Sequence, residues 1–368
     1  MPHIEHLSIR GFKSIRKLAN FELKSLNVLI GANGAGKSNL LSLFEMVSAI
    51  SQKSLQLFVM NEGRPDILLF GGRKLTSSIE VALSFENNRY GYEFSLKPKS
   101  TSIGFGGEKL STVFGSAMWP GGGGESRMFD SFDHMSEAHC EEFAAYVFPD
   151  IQCWRVFHFQ DMSNSSRVRN QSEVRDNLRL RSDAGNLAPF LRYLHEHHPD
   201  HYRRIRNIVR MAHPFIKDFV YRKALSPDDN IGLEWYGKLI GSDTDTVLGP
   251  RQLSDGTLRF ICLATLLNQP EYLQPDIILI DEPELGLHSF ALTIVAEMIK
   301  QVADLKQIII STQSAELVSH FEPEEIVVVD RKEEESVLKR LDPAPLTHWL
   351  EDYSLGDLWK MNVLGGRS

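Results

Sequence analysis

The stretch Gly31-Ala32-Asn33-Gly34-Ala35-Gly36-Lys37-Ser38 satisfies G-x-x-x-x-G-K-[ST] at every fixed position. Leu26-Asn27-Val28-Leu29-Ile30 runs into it as a short buried strand, and Asn39-Leu40-Leu41-Ser42-Leu43-Phe44 opens a helix behind it. Glycines there let successive N–H groups turn inward around a phosphate chain. The helix that follows points its positive end at the same place. Asn33, Gly34, Ala35, Gly36 and Asn39 are therefore expected around the phosphates of a nucleoside triphosphate. Lys37 is expected to reach the β- and γ-phosphates, and the Ser38 hydroxyl to bind Mg2+.

A second segment completes the chemistry. Pro275-Asp276-Ile277-Ile278-Leu279-Ile280-Asp281-Glu282-Pro283-Glu284 reads as an apolar strand ending in two acids, a Walker B pattern. Burial of such a strand fixes its acids at the carboxyl end, where α/β sheets bind ligands. Asp281 is expected to hold Mg2+ and Glu282 to act as general base on a water. Around these motifs, Ser254–Leu267 and Ser289–Ala303 read as helices, and Gln307–Ser311 and Ile326–Asp330 as strands. Short apolar strands alternating with helices predict an α/β fold with a parallel sheet. Ser78–Phe85 and Tyr90–Leu96 alternate and read as an antiparallel hairpin. A strand, a turn at Gly11 and a second short segment fill Ile4–Ile15. Further helices are expected over Asn39–Leu57, Glu137–Val147, Asp176–His197 and Asp200–Met211, and a strand over Cys153–Phe159.

The 368 residues, 42% hydrophobic and 24% charged, suit a globular chain with a second lobe, and the net charge of −8 gives no global attraction to nucleic acid. The charge is uneven: Arg155 to Lys223 holds 14 Lys and Arg against 7 Asp and Glu, a patch able to bind DNA or an acidic partner. Three scattered cysteines, Cys140, Cys153 and Cys262, argue for a reducing compartment. No signal peptide or membrane span is expected, so the reading is a cytoplasmic protein.

Leu253-Ser254-Asp255-Gly256-Thr257, opening a helix upstream of the acids, resembles the L-S-G-G-Q signature of ABC-type ATPases. In that superfamily the signature of one subunit meets the γ-phosphate held by the other. The resemblance therefore implies a homodimer with two ATP-Mg2+ at its seam, and a second phosphate contact from Ser254, Asp255 and Gly256. Leu285-Gly286-Leu287-His288 stands where the D-loop crosses that seam. Ile308-Ile309-Ile310-Ser311-Thr312-Gln313-Ser314 stands where the switch segment lies, with Gln313 in place of the usual His. Gln313 is able to hydrogen-bond a phosphate or water but carries no proton charge, which questions fast hydrolysis. The glutamine of the Q-loop has one weak candidate, Gln160, which reads more naturally as a solvent-facing loop residue.

Ile9-Arg10-Gly11-Phe12-Lys13-Ser14 and the P-loop itself are similar to the RecF/SMC/OLD branch of that superfamily. The resemblance gives Lys13 and Ser14 a role near the nucleotide. It implies an ATPase head with a mixed P-loop sheet, an antiparallel β subdomain and a helical lobe. On this reading residues 1–96 and 251–335 form the head, 97–136 an irregular Gly-rich insertion, 137–250 the basic lobe, and 336–368 a tail. The tail Trp349–Trp359 looks like that of stand-alone bacterial ATPases of this branch, several of which work with a TOPRIM-like or nuclease effector in anti-phage defence. Two alternatives remain: a nucleotide-holding scaffold with negligible turnover, and a transporter's nucleotide-binding subunit. The chain itself is not expected to be the nuclease. Asp243-Thr244-Asp245 reads as a polar turn and His195-Glu196-His197-His198 as an exposed helix end.

Overall fold

The computed structural model describes residues 3–113, 115–128, 147–222, 226, 229–238 and 244–366. Its centre is a six-stranded mixed sheet in the order Glu335–Arg340, Ile326–Lys332, Leu26–Ile30, Gln307–Thr312, Ile277–Asp281, Arg155–His158. All pairings in it are parallel except that of Glu335–Arg340, an antiparallel edge strand. Its central strands Leu26–Ile30, Gln307–Thr312 and Ile277–Asp281 are buried along their length because both faces are covered. Leu26, Val28, Ile278, Ile280, Ile308 and Ile310 point into one core, shared with the helices Asp255–Asn268 and Ser289–Ala303 and the basic lobe. Leu29, Ile277, Leu279 and Ile309 point into a second core, shared with the helix Lys37–Ser51 and an antiparallel sheet.

That antiparallel sheet has six strands, in the order Ile15–Glu22, Ile4–Phe12, Ile79–Phe85, Tyr90–Pro98, Ile103–Thr112, Gly115–Pro120. Two of them fall in 97–136, where the described residues overturn the expectation of irregular structure. The glycines that suggested a loop instead permit close strand packing. A Cβ on Gly106 would press on Ser95 Oγ, and one on Gly121 on the Gly106 main chain. A bulge between Ser95 and Leu96 breaks the alternation further. The first hairpin turns at Lys13-Ser14 rather than at Gly11, which lies inside the strand Ile4–Phe12.

The helix expected over Asp176–His197 is confined to Leu187–His197. Residues 176–186 instead form a loop organised by the fully buried Asn186. Its side chain takes the Arg181 N–H at 2.9 Å and donates to the carbonyls of Asp176 at 2.9 Å and Arg179 at 2.8 Å. A side chain that serves the backbone this way competes with helix hydrogen bonds. Pro199 starts the next helix, Pro199–Ala212, in the first-turn position where its missing N–H costs nothing. The segment expected helical over Asn39–Leu57 is two helices, Lys37–Ser51 and Leu55–Asn61. The helix expected over Glu137–Val147 lies outside the described residues save Val147. No helix among the described residues is long and apolar enough to cross a membrane.

One buried side chain ties the two sheets together. Gln307, 1% exposed, accepts from Ile4 N at 3.1 Å and donates to Ile4 O at 2.8 Å and Lys24 O at 3.1 Å. Gln307→Leu would remove the bonds to Ile4 N and Ile4 O, while Lys24 O keeps its bond from Asn27 Nδ2, and a buried unpaired group costs about 1–3 kcal/mol. Urea unfolding of that variant is expected to show a loss of at least about 2 kcal/mol. Unchanged stability would contradict this account of the junction.

Candidate functional site

Each motif reaches the site because its strand ends there. Gly31 through Gly36 leave the strand Leu26–Ile30, and Gly36 caps the helix Lys37–Ser51. Gly34 and Gly36 have φ of 79° and 109°, values that favour glycine. A Cβ on Gly36 would also strike Ser336 and Ser14. The Lys37 ammonium is folded back under the loop, donating to Gly31 O at 2.6 Å and Ala32 O at 3.1 Å. Burial lowers its pKa, and Glu282, Asp281 and Glu284 oppose that shift. Asn33, Gly34 and Ser38 are exposed.

The strand Ile277–Asp281 delivers the buried Asp281 beside Ser311, whose hydroxyl donates to it. Burial alone would raise the Asp281 pKa, but hydrogen bonds from His158 and Ser311 outweigh it and hold the carboxyl below its ordinary value. Glu282 follows at φ 47°, just before Pro283. Such a conformation in a non-glycine residue costs about 1–3 kcal/mol, a strain that clusters at functional sites. Its N–H is anchored on Ser311 O at 3.0 Å. Its carboxylate is held by two glutamines: the Gln313 amide donates to Oε1, and Gln160 Nε2 lies 3.4 Å from Oε2. Glu284 accepts the Gln313 N–H at 2.8 Å, and burial raises its pKa.

Gln160 also donates to Asp281 at 3.2 Å. Gln160 is exposed, as the solvent-facing reading expects, and its amide nonetheless reaches both acids. It reaches the acids because Arg155–His158 pairs in parallel with Ile277–Asp281, His158 opposite Asp281. Nothing in the local sequence announced that pairing. The same strand brings in His158, another residue missed in the sequence. Its Nε2 lies 3.1 Å from Glu45 and its Nδ1 3.6 Å from Asp281.

The remaining candidates separate. Ser14 stays at the P-loop: its hydroxyl accepts from Asn39 Nδ2 and from Ser336, each at 2.6 Å. The Lys13 ammonium instead pairs with Glu62 at 2.9 Å and donates to Ser42 at 2.7 Å. Ser254 caps its helix by accepting the Thr257 N–H at 3.1 Å. Asp255 pairs with the buried Arg169 at 2.7 Å. A Cβ on Gly256 would collide with the Gly286 carbonyl. Asp245 is paired with Lys217, and Asp243 lies outside the described residues. His197 stacks on Tyr193, while His198 meets Tyr272, so the histidines point different ways. In the basic lobe, Arg203 pairs with Asp200 and Arg206 with Asp218, while Arg204 donates to Gln301.

The donors suit ATP and Mg2+. An exposed hydroxyl on Ser38, an ionised Asp281 and the oxygen of the Gln160 amide are hard ligands, and Mg2+ takes one or two carboxylates with water and phosphate. The loop glycines and the start of Lys37–Ser51 form the anion cradle.

A family model described as "AAA domain, putative AbiEii toxin, Type IV TA system" matches residues 26–117 and 156–319, which include the P-loop, Gln160, the signature segment, the acids and Gln313. No curated protein matches the sequence. Among solved structures the chain is similar to an Smc head bound to the C-terminal winged-helix domain of ScpA, with TM-score 0.56 and 21% identity over 94% of this chain and 99% of that one. It is also similar to an Smc head with an extended coiled coil, bound to the C-terminal domain of ScpA from Pyrococcus furiosus, with TM-score 0.58 and 17% identity over 96% and 99%. A head with coiled coil and joint from Pyrococcus yayanosii gives TM-score 0.52 and 14% identity over 96% and 99%. These likenesses establish an SMC-head fold.

The His158 pair makes one testable statement. Asp281 first, then Glu45, raise the imidazole from 6.5 to about 9 against the effect of burial. A raised folded-state value stabilises fully below the unfolded value and is lost as pH rises through the folded one. In Mg2+-free buffer, wild type should therefore exceed His158→Gln in stability below pH 6.5, with the gap closing by about pH 9. The gap will be modest, because the side chain is 42% exposed and solvent screens it. A gap that does not change across that window would contradict the reading.

Proposed function

The chain belongs to the AbiEii-type AAA-domain family, and on that premise we propose that it is an ATPase of the SMC/RecF-like ABC type, acting as an ATP-driven dimer clasp. The observation that carries the reading is the convergence of Gln160, Gln313 and Ser311 on Asp281 and Glu282. Asn33 to Asn39 would cradle the triphosphate, with the Lys37 ammonium leaving its loop carbonyls for the β- and γ-phosphates. Ser38 and Asp281 would hold Mg2+, with Gln160 beside them. Bound there, Mg2+ would neutralise charge on the phosphates and on the departing diphosphate.

Glu282 would take the proton of the attacking water, already oriented by Gln160 and Gln313. Ser254 caps its own helix and Gly256 abuts Gly286, and on this reading both would meet the γ-phosphate held by a second subunit rather than this P-loop. Two subunits would then close around two ATP-Mg2+, and hydrolysis would release them. Glu284 raises the effective order of the switch by holding the Gln313 main chain.

The closed state would be read by a protein partner. Two of the solved Smc heads carry ScpA domains, and an effector nuclease, TOPRIM-like or otherwise, is the partner that the family resemblance suggests, in bacterial defence or repair. DNA binding by the 155–223 lobe has weaker support, since Arg167, Arg175, Arg181, Arg192, Arg203, Arg206 and Arg222 all pair with acids. A second reading, a nucleotide-holding scaffold with negligible turnover, is favoured by the neutral Gln313.

Glu282→Gln decides between them. General bases contribute about 10²–10⁴-fold, so ATP hydrolysis should fall by at least about a hundredfold while ATP binding persists. Light scattering should find this variant dimeric in saturating ATP-Mg2+. Negligible wild-type turnover would favour the scaffold, and a monomer would reject the clasp.

A further inference from the structure

We propose that Arg259 is a positioning residue that couples the nucleotide site of one subunit to the signature segment which that subunit offers its partner. The inference rests on the dimer reading above and adds a route by which the two sites communicate.

Arg259 lies one turn into the helix Asp255–Asn268 and is 5% exposed. Each of its three guanidinium nitrogens donates to a main-chain carbonyl. Nε bonds Phe159 O at 2.6 Å, Nη2 bonds Gln160 O at 3.1 Å, and Nη1 bonds Leu285 O. These carbonyls belong to the two segments that flank the acids. Phe159-Gln160 carries the amide that contacts Asp281 and Glu282. Leu285-Gly286 follows the acids directly, and Gly286 abuts signature residue Gly256.

A second buried guanidinium closes the circuit from the other side. Arg169 Nε donates to Met162 O at 2.7 Å, and Nη1 to Leu253 O at 3.1 Å and to Pro250 O. Its Nη2 pairs with Asp255 at 2.7 Å. Residues 159–162 are thus bonded to the signature helix through Arg259 and to the loop before it through Arg169.

Arginine suits this task because its donors lie in a fixed planar fork, so the three carbonyls cannot move independently. A shift of Gln160 toward bound Mg2+ carries the Phe159 and Gln160 carbonyls with it. Arg259 must then follow or lose hydrogen bonds inside a buried site, where unpaired groups are costly. Following means that the helix start bearing Ser254 and Gly256 moves too. That start is what the partner's γ-phosphate would meet. A chain of directional bonds of this kind is a physical link between the sites.

The test compares Glu282→Gln with Glu282→Gln/Arg259→Lys and Glu282→Gln/Arg259→Gln. Fluorescent ATP binding is measured at protein concentrations too low for dimers, dimerisation by sedimentation in saturating ATP-Mg2+, and folding by melting of the nucleotide-free proteins. Lysine keeps a cationic stem in the core, so one variant stays folded enough to read. The expected result is unchanged ATP affinity in the monomer with dimer affinity weakened by at least about tenfold, within the usual range of coupling. Dimerisation as tight as in Glu282→Gln alone would overturn the inference. So would a parallel loss of ATP affinity, which marks a collapsed site rather than a broken link. Should Glu282→Gln itself fail to dimerise, the dimer reading falls first and this inference with it.

Discussion

Everything at the site depends on the parallel register of four adjacent strands. Ile30 lies opposite Thr312, and Asp281 lies opposite both Ser311 and His158. With that register, the P-loop, the acids, the switch and the Gln160 segment emerge from one end of one sheet. A slip of one residue would reverse every side chain and send Asp281 into a core. The double burial of the sheet, apolar on both faces, is what forbids the slip.

The electrostatics follow from that placement. Three carboxylates, Asp281, Glu282 and Glu284, gather opposite one buried ammonium, Lys37. This ammonium rests on the P-loop carbonyls, and the acids are held by Ser311, His158 and two glutamines. These contacts order the site, with Glu282 in a strained backbone conformation. Preorganised polar groups of this kind need little rearrangement when charge develops. The two buried arginines, 169 and 259, extend the same order to the signature segment.

The central sheet was legible because its strands are short runs of branched apolar residues ending in motif residues. Asp281, Glu282 and Lys37 needed no tertiary information to single out. The glycine-rich stretch after residue 97 misled because glycine in a strand and glycine in a turn look alike when the contact that demands it is distant. The Asp176–His197 helix misled because its opening is taken over by Asn186, a side chain that replaces helix hydrogen bonds with its own. His158, Arg169 and Arg259 were illegible for a different reason. Each acts on a segment far away in the chain, and no periodicity encodes such a pairing.

The central claim is that this P-loop is half of a site, closed by the signature segment of another copy. Its most direct test uses two preparations, both Glu282→Gln, one bearing Asn33→Cys and the other Asp255→Cys. Mixed and oxidised under saturating ATP-Mg2+, they should form a covalent heterodimer that does not form without nucleotide. Absence of that mixed cross-link with ATP-Mg2+ bound would contradict the account.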